Sequence, residues 1–383
     1  MSFDASVRTL KWEMGYWTGT VRRWYAEGLP RRKGIPETAL DGESITGPGN
    51  AWAPDRIRDQ DVSLATGLDE GMERVPLANL FSPPFKEEIV EVHGDWMLRR
   101  DEFGVLRKEP RDRTSLPRFV SWPVQNRADW ERLKAERLRP TLEGRLPADW
   151  PAWKERYRHR TFLLAIGGGL QGFFGTPRTL LGEENVLVSY YDDPQFIRDI
   201  INDLCDFWIA LYDKVLAEVD VDLAIIWEDM CYKTGPLISP ALVREFMLPA
   251  YKRLTAFYRD HGIKVILLDT DGDCWSLIPL FIEGGITALY PFEVNANMDV
   301  VAVRQAFPRL QILGGLNKMA LAAGPEAIDR ELEAKVPAML ACGGYIPYVD
   351  HLVPPDVSWA NYVYYRQRLN EMIDGWRAHG SGG

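Results

Sequence analysis

Residues 264–293, KVILLDTDGDCWSLIPLFIEGGITALYPFE, hold two short apolar runs, KVILL and ITALY, separated by a segment long enough for a helix. Short runs of Val, Ile and Leu read as strands buried on both faces. A connection of this length suits a parallel crossover better than a hairpin. The pattern recurs outward in both directions. TFLLAIG (161–167), DLAIIWED (222–229), LQILGGLN (310–317) and GYIPYVDH (344–351) are further apolar runs. Between them lie helical patterns at 194–219, 239–262 and 324–344. This predicts six βα units after residue 160. Two more strands from the preceding stretch would complete a (β/α)8 barrel. An open doubly wound sheet is the alternative, but the glycine-rich run AIGGGLQGFFG (165–175) does not match GxGxxG, so no nucleotide cofactor is expected.

Upstream the texture changes to aromatic and proline-rich sequence. SVRTLKWEMGYWTGTVRRWYAEGLP (6–30) spaces Leu10, Met14, Trp17, Val21 and Trp24 by three and four, which predicts one long helix stopped at Gly28 and Pro30. EEIVEVHGDWMLRRDEFGVLRKEP (87–110) reads as short strands turning at His93-Gly94 and Phe103-Gly104. A strand ending at Trp122-Pro123 and a helix capped by Asn126 or Asp129 follow. The expected organisation is an N-terminal elaboration over 1–115, the barrel over 116–377 and a frayed tail over 378–383.

Composition narrows the partners. The 383-residue chain is 46% hydrophobic and 26% charged, with a net charge of −10, so phosphate backbones are repelled and nucleic acid is not an expected partner. Its four cysteines include no CxxC pair, which argues against a disulfide scaffold or zinc knuckle. No apolar run reaches membrane-spanning length, and the first residues lack a secretory pattern, so a soluble cytoplasmic protein is expected.

In a parallel barrel every strand ends on one face, where chemistry gathers. The ends here carry Gly167 to Gly169, Trp227-Glu228-Asp229, Asp269-Thr270-Asp271, Tyr290 with Glu293, Asn317-Lys318, and Asp350-His351. Glu228, Asp229, Asp269, Asp350 and His351 are therefore the catalytic candidates. Trp17, Trp227, Tyr290, Glu293 and Asn317 are the substrate-binding candidates. Adjacent Glu228 and Asp229 face opposite sides of an extended strand, so only one enters the mouth. Asp273 reads equally well as a helix cap, and Cys274 as packing. Trp12, Tyr16, Trp17 and Trp24 fit either a satellite core or an apolar lid over the mouth.

Over residues 160–377 the sequence resembles the uroporphyrinogen decarboxylase superfamily, which includes corrinoid-dependent methyltransferases and is built on a (β/α)8 barrel. The resemblance rests on WEDMCYKTGPLISPALVREFMLPAYKRL (227–254), LLDTDGDCWSLIPLFIEGGITALYPFE (267–293), LQILGGLNKMAL (310–321) and GGYIPYVDHLVPPDVSWANYVYY (343–365). The decarboxylases of the family hold their polycarboxylate substrate with an RQAGR-type motif. Here that region reads KWEMGYWTGTVRRWYAEGLP (11–30), with Arg22 and Arg23 but without the motif. The methyltransferases hold zinc with a His-x-Cys pair and a later Cys. Asp269, Asp271 and His351 stand at those positions, a harder donor set that implies zinc or another divalent metal, or an acid/base site without metal. The chain has no DxHxxG motif, so a corrinoid would arrive on a partner protein. The resemblance also implies a homodimer. It makes methyl transfer from a small methylated substrate the leading expectation, with decarboxylation of an aromatic or pyrrolic acid, or a non-catalytic metabolite-binding barrel, as alternatives.

Overall fold

The computed structural model describes residues 2–46, 57–111 and 117–380. Val265–Asp269 and Ala288–Tyr290 are parallel neighbours, with Leu268 opposite Leu289. They belong to a seven-stranded parallel sheet. Its order is Tyr345–Ile346, Gln311–Leu313, Ala288–Tyr290, Val265–Asp269, Leu223–Trp227, Leu163–Gly167 and Met72–Arg74. All six runs expected as strands are strands.

The inner face of the curled sheet packs Met72, Ala165, Leu223, Ile225, Leu267, Ala288, Tyr290, Leu313, Ile346 and Tyr348 into one core. Trp12 and Met14 join them, with Leu10 at the margin. These alternate residues come from an extended segment between the first and last strands. Asp69 N donates to Lys11 O at 2.9 Å, and Thr9 Oγ1 donates to Tyr345 O on the other side. Tyr16 then bridges Val353 in parallel. The N-terminal segment thus fills the eighth position of a TIM-like barrel.

That overturns the long helix expected over 6–30: the helix is Thr18–Ala26 alone, preceded by the strand Gly15–Trp17. Leu10, Trp12, Met14 and Tyr16 fit a period of two as well as Leu10, Met14 and Trp17 fit a helix. The open edge of the sheet decides between them. Gly15, at φ 149°, breaks any helix there. Of the two readings open for the aromatic residues, packing rather than a lid holds for Trp12, Tyr16 and Trp24. Trp12 lies inside the barrel, while Tyr16 and Trp24 pack with Tyr362 of the last helix, ring centroids 5.6 and 4.5 Å away.

Outside the sheet run Pro194–Leu216, Leu248–Asp260, Pro325–Cys342 and Trp359–Gly380. Pro194–Leu216 turns Ile197, Ile200, Ile201, Leu204, Trp208, Leu211 and Val215 onto the strands, the 3.6-residue stripe of an amphipathic helix. Between Met72–Arg74 and the helix Arg127–Arg137 an antiparallel sheet is inserted, ordered Glu88–His93, Trp96–Arg100, Leu106–Pro110 and Arg118–Ser121. Asn126 caps the helix by accepting from Asp129 N at 3.0 Å. The boundary expected at 115/116 and the end of the tail, 381–383, lie outside the described residues; barrel staves come from both sides of that boundary. No helix among the described residues is long and apolar enough to cross a membrane.

Candidate active site

Every stave ends on the same face, and the acids predicted for that face divide into two kinds. Glu228 and Asp350 are spent on the loops. Glu228 is fully buried, and its carboxylate accepts from Phe173 N (2.8 Å), Phe174 N (2.7 Å), Gly175 N (3.0 Å) and Tyr251 Oη (2.6 Å). Burial pushes its pKa up, against the pull of these four donors. The glycine-rich run serves this contact: a Cβ on Gly172 would sit 1.8 Å from Trp227 O. Replacing Glu228 with Gln turns an acceptor into a donor facing N–H groups. Urea unfolding should show a loss of about 1–3 kcal/mol for each buried donor left unmatched.

Asp350 plays the matching part across the barrel. It is fully buried, and its oxygens accept from Val294 N (2.9 Å) and Lys318 N (3.2 Å), with Lys318 Nζ 3.3 Å away. Asn317 accepts from Met319 N at 2.9 Å and caps the short helix Lys318–Ala323. Asp273 likewise accepts from Trp275 N at 3.0 Å. These residues shape the rim rather than project from it.

Asp269, Asp271, Asp229 and His351 form the second kind. Asp269 shares the inward parity of Val265 and Leu267, and is 3% exposed. It is hydrogen-bonded to Tyr290, while its Oδ2 is buried without a partner. Burial, then Asp271 and Asp229, hold its pKa well above the ordinary carboxylate range. Tyr348 Oη is also buried without a partner, and its ring stands edge-on to Trp12 at 4.8 Å. The phenol feels the charge of Asp269 and Asp271, which marks the three as neighbours.

Asp229 is the member of the Glu228–Asp229 pair that faces the mouth. It sits at φ 44°, is held by Arg178, and raises the pKa of Asp269 and Asp271. Burial and the charges of Asp229 and Glu293 push Asp271 up to about 8. His351 Nε2 lies 3.8 Å from Asp271 Oδ2, and burial with nearby Lys318 lowers its pKa, so the imidazole is neutral near pH 7. Glu293 accepts from Gly272 N at 3.0 Å. Trp17 and Trp227, both half-buried, end their staves on this face.

The expected metal triad is not assembled. Among the described residues no three His, Cys, Asp or Glu side chains form a group that could hold a metal ion. Nor is there a ready thiolate: burial pushes Cys231 up to about 12 and raises Cys274 well above its ordinary value. What the mouth offers is a buried carboxyl that resists ionisation, two phenols and a neutral imidazole.

Asp271 gives a pH test. Its folded-state pKa is raised, so between the ordinary carboxylate range and about pH 8 the folded chain holds a proton that the unfolded chain has released. Stability from this group is complete at low pH and is lost as pH rises to about 8. With 37% of the side chain exposed, water screens the effect. Asp271→Asn should match the wild type near pH 4 and melt at a higher temperature at pH 8, by calorimetry.

Sequence reasoning missed Tyr348, Arg178 and Tyr251. Tyr348 was legible as the residue two after Ile346 on an inward-facing parity. The other two gain meaning only through contacts with Asp229 and Glu228.

No curated protein sequence matches the chain. Among solved structures, a methyltransferase from Methanosarcina mazei superimposes with a TM-score of 0.55 at 14% identity, over 95% of this chain and 94% of that one. This likeness is one of fold. The family comparison matches residues 101–371, more than half of the sequence, to Uroporphyrinogen decarboxylase (URO-D). With its strand-end motifs, parallel barrel and this match, the chain belongs to the URO-D family.

Proposed function

We propose that the barrel mouth transfers a methyl group from an oxygen of a small neutral substrate, with Asp269 as the general acid. The observation that carries this reading is the buried, unpartnered Oδ2 of an inward-facing carboxyl whose pKa burial raises well above the ordinary carboxylate range. An oxygen leaving group needs a proton as its bond to carbon breaks, and a carboxyl kept neutral near pH 7 supplies one. In this step the methyl–oxygen bond breaks and its electron pair stays on oxygen. The Asp269 proton joins that oxygen, and the methyl group passes to a nucleophile. Tyr348 donates a second hydrogen bond to the substrate. Trp12 and Tyr290 close the floor against water, and His351 relays a solvent proton to Asp269 through Asp271, taking one up on one ring nitrogen as the other releases its own, which leaves the imidazole neutral.

The chain provides no thiolate acceptor at the mouth, since Cys231 and Cys274 are buried thiols. A corrinoid carried by a partner protein would supply the nucleophile. The neighbour from Methanosarcina mazei, itself a methyltransferase, supports the choice of methyl transfer. Decarboxylation is less well supported, because Arg178 is matched with Asp229 and Lys318 with Asp350, which leaves neither to anchor a substrate carboxylate.

The test mixes the purified protein with a panel of methoxylated aromatics and a reduced corrinoid, and follows the corrinoid absorbance. Methylation of the corrinoid with matching phenol release supports the proposal. Inactivity on the panel combined with decarboxylation of uroporphyrinogen, read by fluorescence of the oxidised products, would overturn it.

A further inference from the structure

We propose that Lys318 is a positioning residue of the mouth, and that its ammonium, set between Asp350 and Glu293, holds His351 against Asp271. Lys318 Nζ lies 3.3 Å from Asp350 Oδ1 and 4.0 Å from Glu293 Oε1. Each acid leads to one end of the contact between His351 and Asp271. Asp350 precedes His351 in the chain. Glu293 Oε2 accepts from Gly272 N at 3.0 Å, and Gly272 follows Asp271. His351 Nε2 stands 3.8 Å from Asp271 Oδ2, which closes a ring of contacts. The ring joins the ends of four neighbouring staves, Val265–Asp269, Ala288–Tyr290, Gln311–Leu313 and Tyr345–Ile346.

Two features make Lys318 the member that holds this ring. The first is charge: the ring carries three acids, Asp271, Glu293 and Asp350, and one lysine. Without the ammonium, Asp350 and Glu293 face each other across the gap it fills, and like charges so placed repel. Asp350 is fully buried, so its charge is poorly screened. The second is place. Lys318 is the first residue of the helix Lys318–Ala323, where the helix dipole disfavours a cation. The acids across the mouth, rather than the helix, account for a lysine there. The 3.8 Å separation of His351 from Asp271 is longer than a hydrogen bond, so a proton crosses only when the two close by roughly 1 Å. Loops that drift apart by a similar distance stop the transfer. The catalytic consequence rests on the relay proposed above for His351; the placement does not.

Nuclear magnetic resonance of ¹⁵N-labelled histidine rings at pH 7 tests the placement without any substrate. His351, one of five histidines, is assigned by its loss in His351→Gln. In the wild-type background Asp271→Asn should shift the His351 ring signals. In a Lys318→Met background the same substitution should shift them little, and Lys318→Arg, which keeps the charge, should restore the response. Should Lys318→Met fold poorly, Glu293→Gln serves in its place. It removes one of the two bridged charges from a side chain that is 27% exposed, and its amide oxygen still accepts from Gly272 N, so the response should weaken at an unchanged melting temperature. With a substrate found in the panel above, Lys318→Met should lower kcat about 10²-fold at unchanged KM, the loss that a misplacement of about 1 Å brings. A His351 response to Asp271→Asn that is equally large with and without Lys318, or unaltered by Glu293→Gln, would overturn the proposal. Inactivity of the wild type on the panel would count against methyl transfer, while the ring spectra still decide the role of Lys318.

Discussion

Asp269→Asn is expected to lower turnover about 10²–10⁴-fold, the range over which a positioned general acid contributes, and to leave the fold intact. The amide is close in shape to the neutral carboxyl, and it keeps the hydrogen bond with Tyr290. What it lacks is a transferable proton. Substrate affinity should therefore change little while kcat collapses. Substrates whose leaving oxygen is already acidic should suffer least, because they depend least on the proton. Tyr348→Phe should instead raise KM and lower kcat modestly, since it removes a donor but no proton source. Steady-state kinetics with a graded series of leaving groups separate the two. Equal losses across the series would show that Asp269 only positions the substrate.

The second large effect concerns stability. Arg366 and Glu13 are 1% and 0% exposed, with Arg366 Nη1 3.9 Å from Glu13 Oε2 and 3.3 Å from Trp12 O. Tyr365 Oη reaches the same carboxylate at 3.4 Å. The pair ties the extended N-terminal stave to the helix Trp359–Gly380. Burial pushes Glu13 up to about 8 even beside Arg366, so near pH 7 the carboxyl keeps its proton. Arg366→Met should therefore cost most above pH 8, about 3–5 kcal/mol in urea unfolding where the carboxyl would have to ionise unpaired, and adding Glu13→Gln should restore most of that high-pH loss. A single variant as stable as the wild type would mean that the stave is held by its apolar residues alone.

The barrel was legible in the sequence because KVILL, ITALY and their counterparts are continuous apolar runs spaced by helices, and only parallel strands buried on both faces read that way. Asp269 was legible for the same reason, since a polar residue directly after such a run ends at the mouth. At Glu228 and Asp350 the contacts were hidden, because position in the sequence cannot distinguish an acid that faces substrate from one that accepts backbone N–H groups of a distant loop. Phe173 and Val294, which supply those N–H groups, lie 55 and 56 residues away from them in the chain. The eighth stave was hidden because Leu10, Met14 and Trp17 fit a helical period. What decides its conformation is the gap between Met72–Arg74 and Tyr345–Ile346, a property of the closed sheet rather than of the segment.

The account depends on Asp269 being neutral at the pH where the enzyme works. Infrared difference spectroscopy of wild type against Asp269→Asn at pH 7 reads that directly, through the carbonyl stretch of a protonated carboxyl. A protonated-carboxyl band present in the wild type and absent from the variant is the predicted result. A difference spectrum carrying only carboxylate bands would mean that Asp269 is ionised and has no proton to give, and would contradict the mechanism.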